Sequence, residues 1–201
     1  MNIDVRDVGP APLIAALGRE LGIVQAINET VKWDERQCFA DPGTHTLAMV
    51  IDILLGRSPL YLVEKHYAEK DVELIFGKGF KSSDFNDDTL ARTLDKIYAA
   101  GTKKAFCHAA LRALLKEKLE CKILHADTTA KLVYGDYPAE KGLNITYGDL
   151  KQFKLGLVTN AQGFPLAGEI LDGNLDDKSW NRMLLDFLPE HFTVEKLKTL
   201  T

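Results

Sequence analysis

The apolar periodicity of this chain changes at one place, and that change restricts the folds open to it. Before residue 120 the apolar residues recur at helical spacing; from Cys121 they come in short runs. The turning point is Cys121-Lys122-Ile123-Leu124-His125-Ala126-Asp127-Thr128-Thr129, which reads as a buried strand ending on a carboxylate and two hydroxyls. Strand alternation puts Ile123, His125 and Asp127 on one face and Leu124, Ala126 and Thr128 on the other. Burying Asp127 is costly unless something pairs with it. It is therefore either a cap for the strand or next turn, or a group held in place for chemistry.

The helical part begins at Pro10 and Pro12, where a helix starts without losing a needed donor. Leu13, Leu17, Leu21, Val24 and Ile27 then predict an amphipathic helix over 11–30, weakened by Gly18 and Gly22. After the Asp41-Pro42-Gly43 breaker, Thr44 is placed to cap an apolar helix ended by Gly56, at the centre of the core. Ser58-Pro59 restarts a helix through Tyr67, and Val72–Phe76 ends at Gly77. Asn86-Asp87-Asp88 caps a helix stopped by Gly101, and Thr102 caps the next, with Phe106, Ala110, Ala113 and Leu114 inside. This last pair has helix-turn-helix spacing. Its second helix, however, opens on Lys103 and Lys104 followed by Ala, Phe and Cys, which favours packing over base reading.

After the turning point, residues 131–149 are irregular, with Pro138 and the tyrosines Tyr134, Tyr137 and Tyr147. Residues 153–159 and 165–171 read as a hairpin around Asn160-Ala161-Gln162-Gly163. Asp176 or Asp177 then caps a helix through Trp180, Leu184 and Leu188, which Pro189 stops. The fold class is therefore α+β, with an all-helical part over 1–120 and a mixed α/β part over 121–201. The order strand, hairpin, helix is the opening half of a ribonuclease-H-like domain.

His125-Ala126-Asp127-Thr128-Thr129, Asp149-Leu150-Lys151-Gln152, Gly163-Phe164-Pro165-Leu166 and Asp172-Gly173-Asn174 with Asp177 occur in an order that resembles the DDE transposases of prokaryotic insertion sequences. Asp41-Pro42-Gly43-Thr44-His45 and Asn86-Asp87-Asp88-Thr89-Leu90 resemble the N-terminal domain of one group in that family, a candidate DNA-end-binding or dimerisation domain. The resemblance implies that Asp127 is the first carboxylate of the triad, a catalytic residue and metal ligand. The family's second Asp follows on the next parallel strand and its Glu lies further on. Neither has a counterpart in these residues, so the chain reads as the front part of a transposase, inert by itself.

The implied reaction is phosphodiester hydrolysis and strand transfer with two Mg²⁺ or Mn²⁺ ions, which hold the attacking and leaving oxygens in line. One carboxylate on a rigid strand can bridge both ions, with Thr128 and Thr129 orienting it and His125 near the scissile group. Lys151, Gln152 and Lys154 are candidate contacts to the DNA backbone. The expected partners are transposon-end DNA and a second copy of the chain. The alternative is a non-catalytic, DNA-binding inhibitor of the complete enzyme.

Composition sets limits on all of this. A net charge of −4, from 25 basic and 29 acidic residues, confines any nucleic-acid contact to local patches. No apolar run is long enough for a bilayer, no signal peptide opens the chain, and three scattered cysteines suit a reducing compartment. A cytoplasmic location is the expectation.

Overall fold

Gly22 decides how the chain begins. It adopts φ 76°, a left-handed conformation that costs glycine little and ends a helix in most sequences. In the computed structural model, which describes residues 5–34, 36, 39–135, 146–147 and 150–191, the expected single helix over 11–30 is two. These are α1 (Ala11–Glu20) and α2 (Ile23–Thr30). The leucine face of α1 is not the buried one: Ala11, Ala15 and Gly18 are buried while Leu13 and Leu17 stay exposed. A Cβ on Gly18 would lie 2.6 Å from Leu47 Cδ1, so α1 approaches its neighbour more closely than leucines would allow.

That neighbour is α3 (Pro42–Leu55). Its cap is Asp41, not Thr44: the Asp41 carboxylate accepts from the Thr44 amide at 2.7 Å, and Pro42 occupies the first helical position. Leu47, Ala48 and Ile51 enter the core, whereas Ile53 and Leu54 are exposed. A 3₁₀ turn (Leu60–Leu62) leads into α4 (Val63–Ala68) and α5 (Val72–Phe76). Tyr67, Phe76, Phe80 and Phe85 then form an aromatic cluster with centroid separations from 4.5 to 6.2 Å. The Tyr67 hydroxyl donates to the Ala48 carbonyl at 2.7 Å, and burial pushes its pKa far above the usual tyrosine value. Asn86 caps α6 (Asp87–Ala100) by accepting from the Thr89 amide. Gly101 separates α6 from α7 (Thr102–Lys116), where Ala105, Cys107, Ala110 and Leu111 are buried and Phe106, expected inside, is partly exposed.

The chain divides into two compact units, Met1–Ala113 and Leu114–Thr201. The second is built on β1 (Leu124–Leu132), β2 (Thr146–Tyr147), β3 (Leu150–Asn160), β4 (Pro165–Asp172) and α8 (Asp177–His191). All pairings are antiparallel: β3 lies between β1 and β4, and the two-residue β2 pairs with the start of β3. The architecture is α+β. Asn160, fully buried, shapes the β3–β4 turn by accepting from the amides of Gln162 and Phe164. Trp180 of α8 lies against the sheet at Gly156, where a Cβ would meet its ring at 2.5 Å. The helix runs on through Pro189 to His191, because a proline there forfeits only one intrahelical bond close to the end.

Two expectations about the first strand need correction. It does not end at Asp127 but continues five residues further, to Leu132. Nor is it buried: every residue of β1 is exposed except Thr128, which is half-buried. The reason is topological, since among the described residues β1 pairs with β3 alone and forms an edge of the sheet. No single described helix is long and apolar enough to cross a membrane.

Three histidines in the helical unit tie its stability to pH. His45 bridges the Thr93 hydroxyl at 2.8 Å and the Asp84 carbonyl at 3.1 Å. His66 lies 3.7 Å from the buried Asp52, and His108 contacts Thr30 and Glu29. Burial outweighs the neighbouring carboxylates and lowers the pKa of all three below 6.5. The unfolded chain therefore binds more protons than the folded one in mild acid. The stability these groups confer is present above about pH 6.5 and falls as pH drops through that unfolded value. Urea unfolding should show a lower midpoint at pH 5.5 than at pH 7.5. An unchanged midpoint would contradict the assignment.

Candidate functional site

β1 and its partners define the two faces on which the candidate residues lie. Residues directly opposite in an antiparallel ladder share a face. Asp127 stands opposite Leu157, which stands opposite Gly168; His125 is two residues before Asp127 and Thr129 two after. One face of the sheet therefore carries His125, Asp127 and Thr129 along the exposed edge. Beside them are the half-buried Leu155 and Leu157, and Ile170, which is 49% exposed. The other face, through Gly156, receives Trp180 of α8.

Asp127 is held by backbone pairing on a nine-residue strand, and one carboxylate oxygen accepts from the Thr128 amide at 2.8 Å. The Thr128 hydroxyl does not orient it, contrary to expectation. Alternation turns that hydroxyl to the α8 face, where it donates to Asp177 at 2.7 Å. Thr129 and His125 keep the same face as Asp127.

The three candidate DNA contacts separate. Gln152 is buried, with its amide nitrogen donating to the Gly173 carbonyl at 3.1 Å. Lys154 is mostly buried on the α8 face, donating to the Leu175 carbonyl at 2.6 Å and lying 3.6 Å from Asp177. Both are fixed in the fold on the side away from Asp127, so neither meets a phosphate there. Lys151 falls on the Asp127 face by alternation and donates to the Gly135 carbonyl. Tyr134 is exposed; Tyr137 and the side chain of Tyr147 lie outside the described residues.

None of the nearby described acids joins Asp127. Asp176 caps α8, accepting from the Ser179 amide and hydroxyl, and these bonds lower its pKa. Asp177 is on the opposite face. Asp172 stands opposite Phe153, so it shares the face of Asp127 but lies four rungs along and two strands across. That is a separation of roughly 16 Å from ordinary sheet spacings, too far to share an ion. Among the described residues no three His, Cys, Asp or Glu side chains converge. A lone exposed carboxylate does not fit a two-ion Mg²⁺ site. What the arrangement does provide is a carboxylate on a paired strand, beside an edge that no other described strand covers.

Sequence reading gave no sign of a second polar feature, because it joins distant segments. A cleft of about 370 Å³ in the helical unit is lined by Thr30, Lys32, Lys96, Ala99, Ala100 and Lys104.

The family described as a domain of unknown function (DUF4277) matches residues 3–111. No curated protein matches the chain, and no solved structure does.

Proposed function

The chain belongs to the DUF4277 family, matched over more than half of its length; for its function we propose, from its sheet unit, that it is the N-terminal portion of a DNA transposase of the DDE class. The family match falls on the helical unit, so the catalytic reading rests on the sheet unit. The observation that carries it is the placement of Asp127: a carboxylate mid-way along β1, in a sheet ordered β1–β3–β4 and followed by α8. That order is the one the first half of a ribonuclease-H-like domain would have, and it supports this reading. In such a domain the next strand pairs in parallel with the edge that β1 leaves open, and brings a second carboxylate beside the first.

In the complete enzyme, Mg²⁺ or Mn²⁺ would supply Lewis-acid stabilisation of the attacking and leaving oxygens. Asp127 would contribute a preorganised ligand, since ladder pairing fixes its backbone before any ion arrives. The open β1 edge also supports self-association, because unpaired strand edges recruit other chains.

A second reading, a non-catalytic DNA-end-binding protein that competes with a complete transposase, is favoured by the placement of Asp172, Asp176 and Asp177, none of which stands beside Asp127 on its face. One gel-shift series tests both readings at the level of DNA. The probes are duplexes from the DNA flanking the chain's own reading frame and shuffled duplexes of equal composition. The expected result is tighter binding to flanking DNA, by about tenfold or more, as specific sites exceed non-specific ones. Equal binding to both probes would reject end recognition.

A further inference from the structure

We infer that the cleft between α6, the first turn of α7 and the chain leaving α2 is a docking site for the phosphodiester backbone of nucleic acid, held by Lys32, Lys96 and Lys104. The choice of ligand rests on the DNA-acting reading above; the site rests on its own geometry.

Three lysines from three separate segments line one cleft, and among the described residues no carboxylate lines it. In a chain with more acidic than basic residues this is a local reversal of charge. Among the described residues, no ion pair engages Lys32, Lys96 or Lys104. The nearby acid Glu29 is held by His108 at 3.4 Å and Arg112 at 3.0 Å. The field of the lysines is felt inside the unit as well: Lys96 disfavours protonation of His45, and Lys104 does the same at His108.

Lys104 sits in the first turn of α7, where the helix dipole already presents positive charge and a cation is disfavoured. An anion in the cleft relieves that repulsion. Ala99 and Ala100 present only methyl groups, so a sugar-phosphate chain can come close to the helix backbone. The lysines are point charges on flexible stems, suited to phosphate position and not to base identity. The cleft therefore predicts binding that is strong at low salt and indifferent to sequence.

The test is fluorescence anisotropy with a short duplex of arbitrary sequence, from about 50 mM to about 200 mM salt, on the full chain. Replacing Lys32, Lys96 and Lys104 together by Gln should weaken binding at low salt by roughly tenfold or more. It should also flatten the logarithmic salt dependence by about 0.9 for each phosphate that is no longer neutralised. The same three positions changed to Arg should keep both affinity and slope, and so should Lys122→Gln, whose lysine pairs with Glu120 elsewhere. If the triple Gln variant loses the wild-type helical spectrum, the three single variants are read instead, each flattening the slope by about 0.9.

Wild-type affinity and slope in the Gln variants would overturn the proposal. So would binding of inorganic phosphate by a protein that ignores duplex DNA. Lysine-dependent duplex binding with no preference for flanking DNA would support the cleft while rejecting end recognition. End preference together with unchanged affinity and salt slope after loss of the lysines would reject the cleft alone.

Discussion

On the transposase reading proposed above, Asp127→Ala should abolish Mg²⁺-dependent cleavage of element-end DNA, by on the order of 10³-fold or more, when the other two carboxylates of the triad are supplied on a separate chain. Members of a catalytic unit act together, so losing one carboxylate of three forfeits nearly the whole advantage. The substitution should leave folding unchanged, because Asp127 is exposed and its one described bond is to the amide of its own neighbour. DNA binding should also survive it. On the same reading the 201 residues alone should be inert: among the described acids Asp172 is distant, Asp177 faces the other way and Asp176 is a helix cap. Mg²⁺-dependent cleavage by the chain alone, lost in Asp127→Ala, would show that another group completes the site.

A large effect on stability is expected at Gly43. Its amide donates to the Asn28 side chain at 2.7 Å, and it packs where α2 and α3 meet. A Cβ there would lie 2.3 Å from the Val24 carbonyl oxygen and 2.8 Å from the Val24 Cα. Those are backbone atoms of a helix, which cannot swing aside as a side chain can. Gly43→Ala must therefore push α2 from α3 and disturb a core that includes Leu47 and Ile51. A loss of about 3 kcal/mol is expected, at the upper end for overpacking. Gly18→Ala meets only the tip of Leu47 and should cost less. Thermal or urea melts of the two variants make the comparison, and equal midpoints would mean that α2 and α3 separate easily.

Much of the architecture was legible in local chemistry. Asn86 caps its helix, the hairpin turns after Asn160, and Asp176 opens α8, because each is decided by residues within a few positions. The misreadings share a cause, which is that periodicity identifies an apolar face without naming its neighbour. Leu13 and Leu17 marked the wrong side of α1 because Gly18 and two alanines permit a closer contact with Leu47. The run at β1 looked buried because short apolar strands usually are; its exposure follows from sheet order, which no local pattern encodes. Lys154 and Gln152 looked like surface groups near a site, yet strand parity set them under α8. The lysine cleft was invisible because residues 32, 96 and 104 become neighbours only through folding.

On the transposase reading, the edge of β1, unpaired among the described residues, would couple assembly to chemistry. A strand that pairs there would run about 4.8 Å from β1, and a residue on it level with Asp127 would point to the same face. Whatever seals the sheet thus decides, by its register, which side chain stands next to Asp127. A shift of one residue would turn that side chain to the α8 face and leave the carboxylate alone. On that reading, closure of the sheet would act as a proofreading step: only one register would both satisfy the backbone and furnish Asp127 with company.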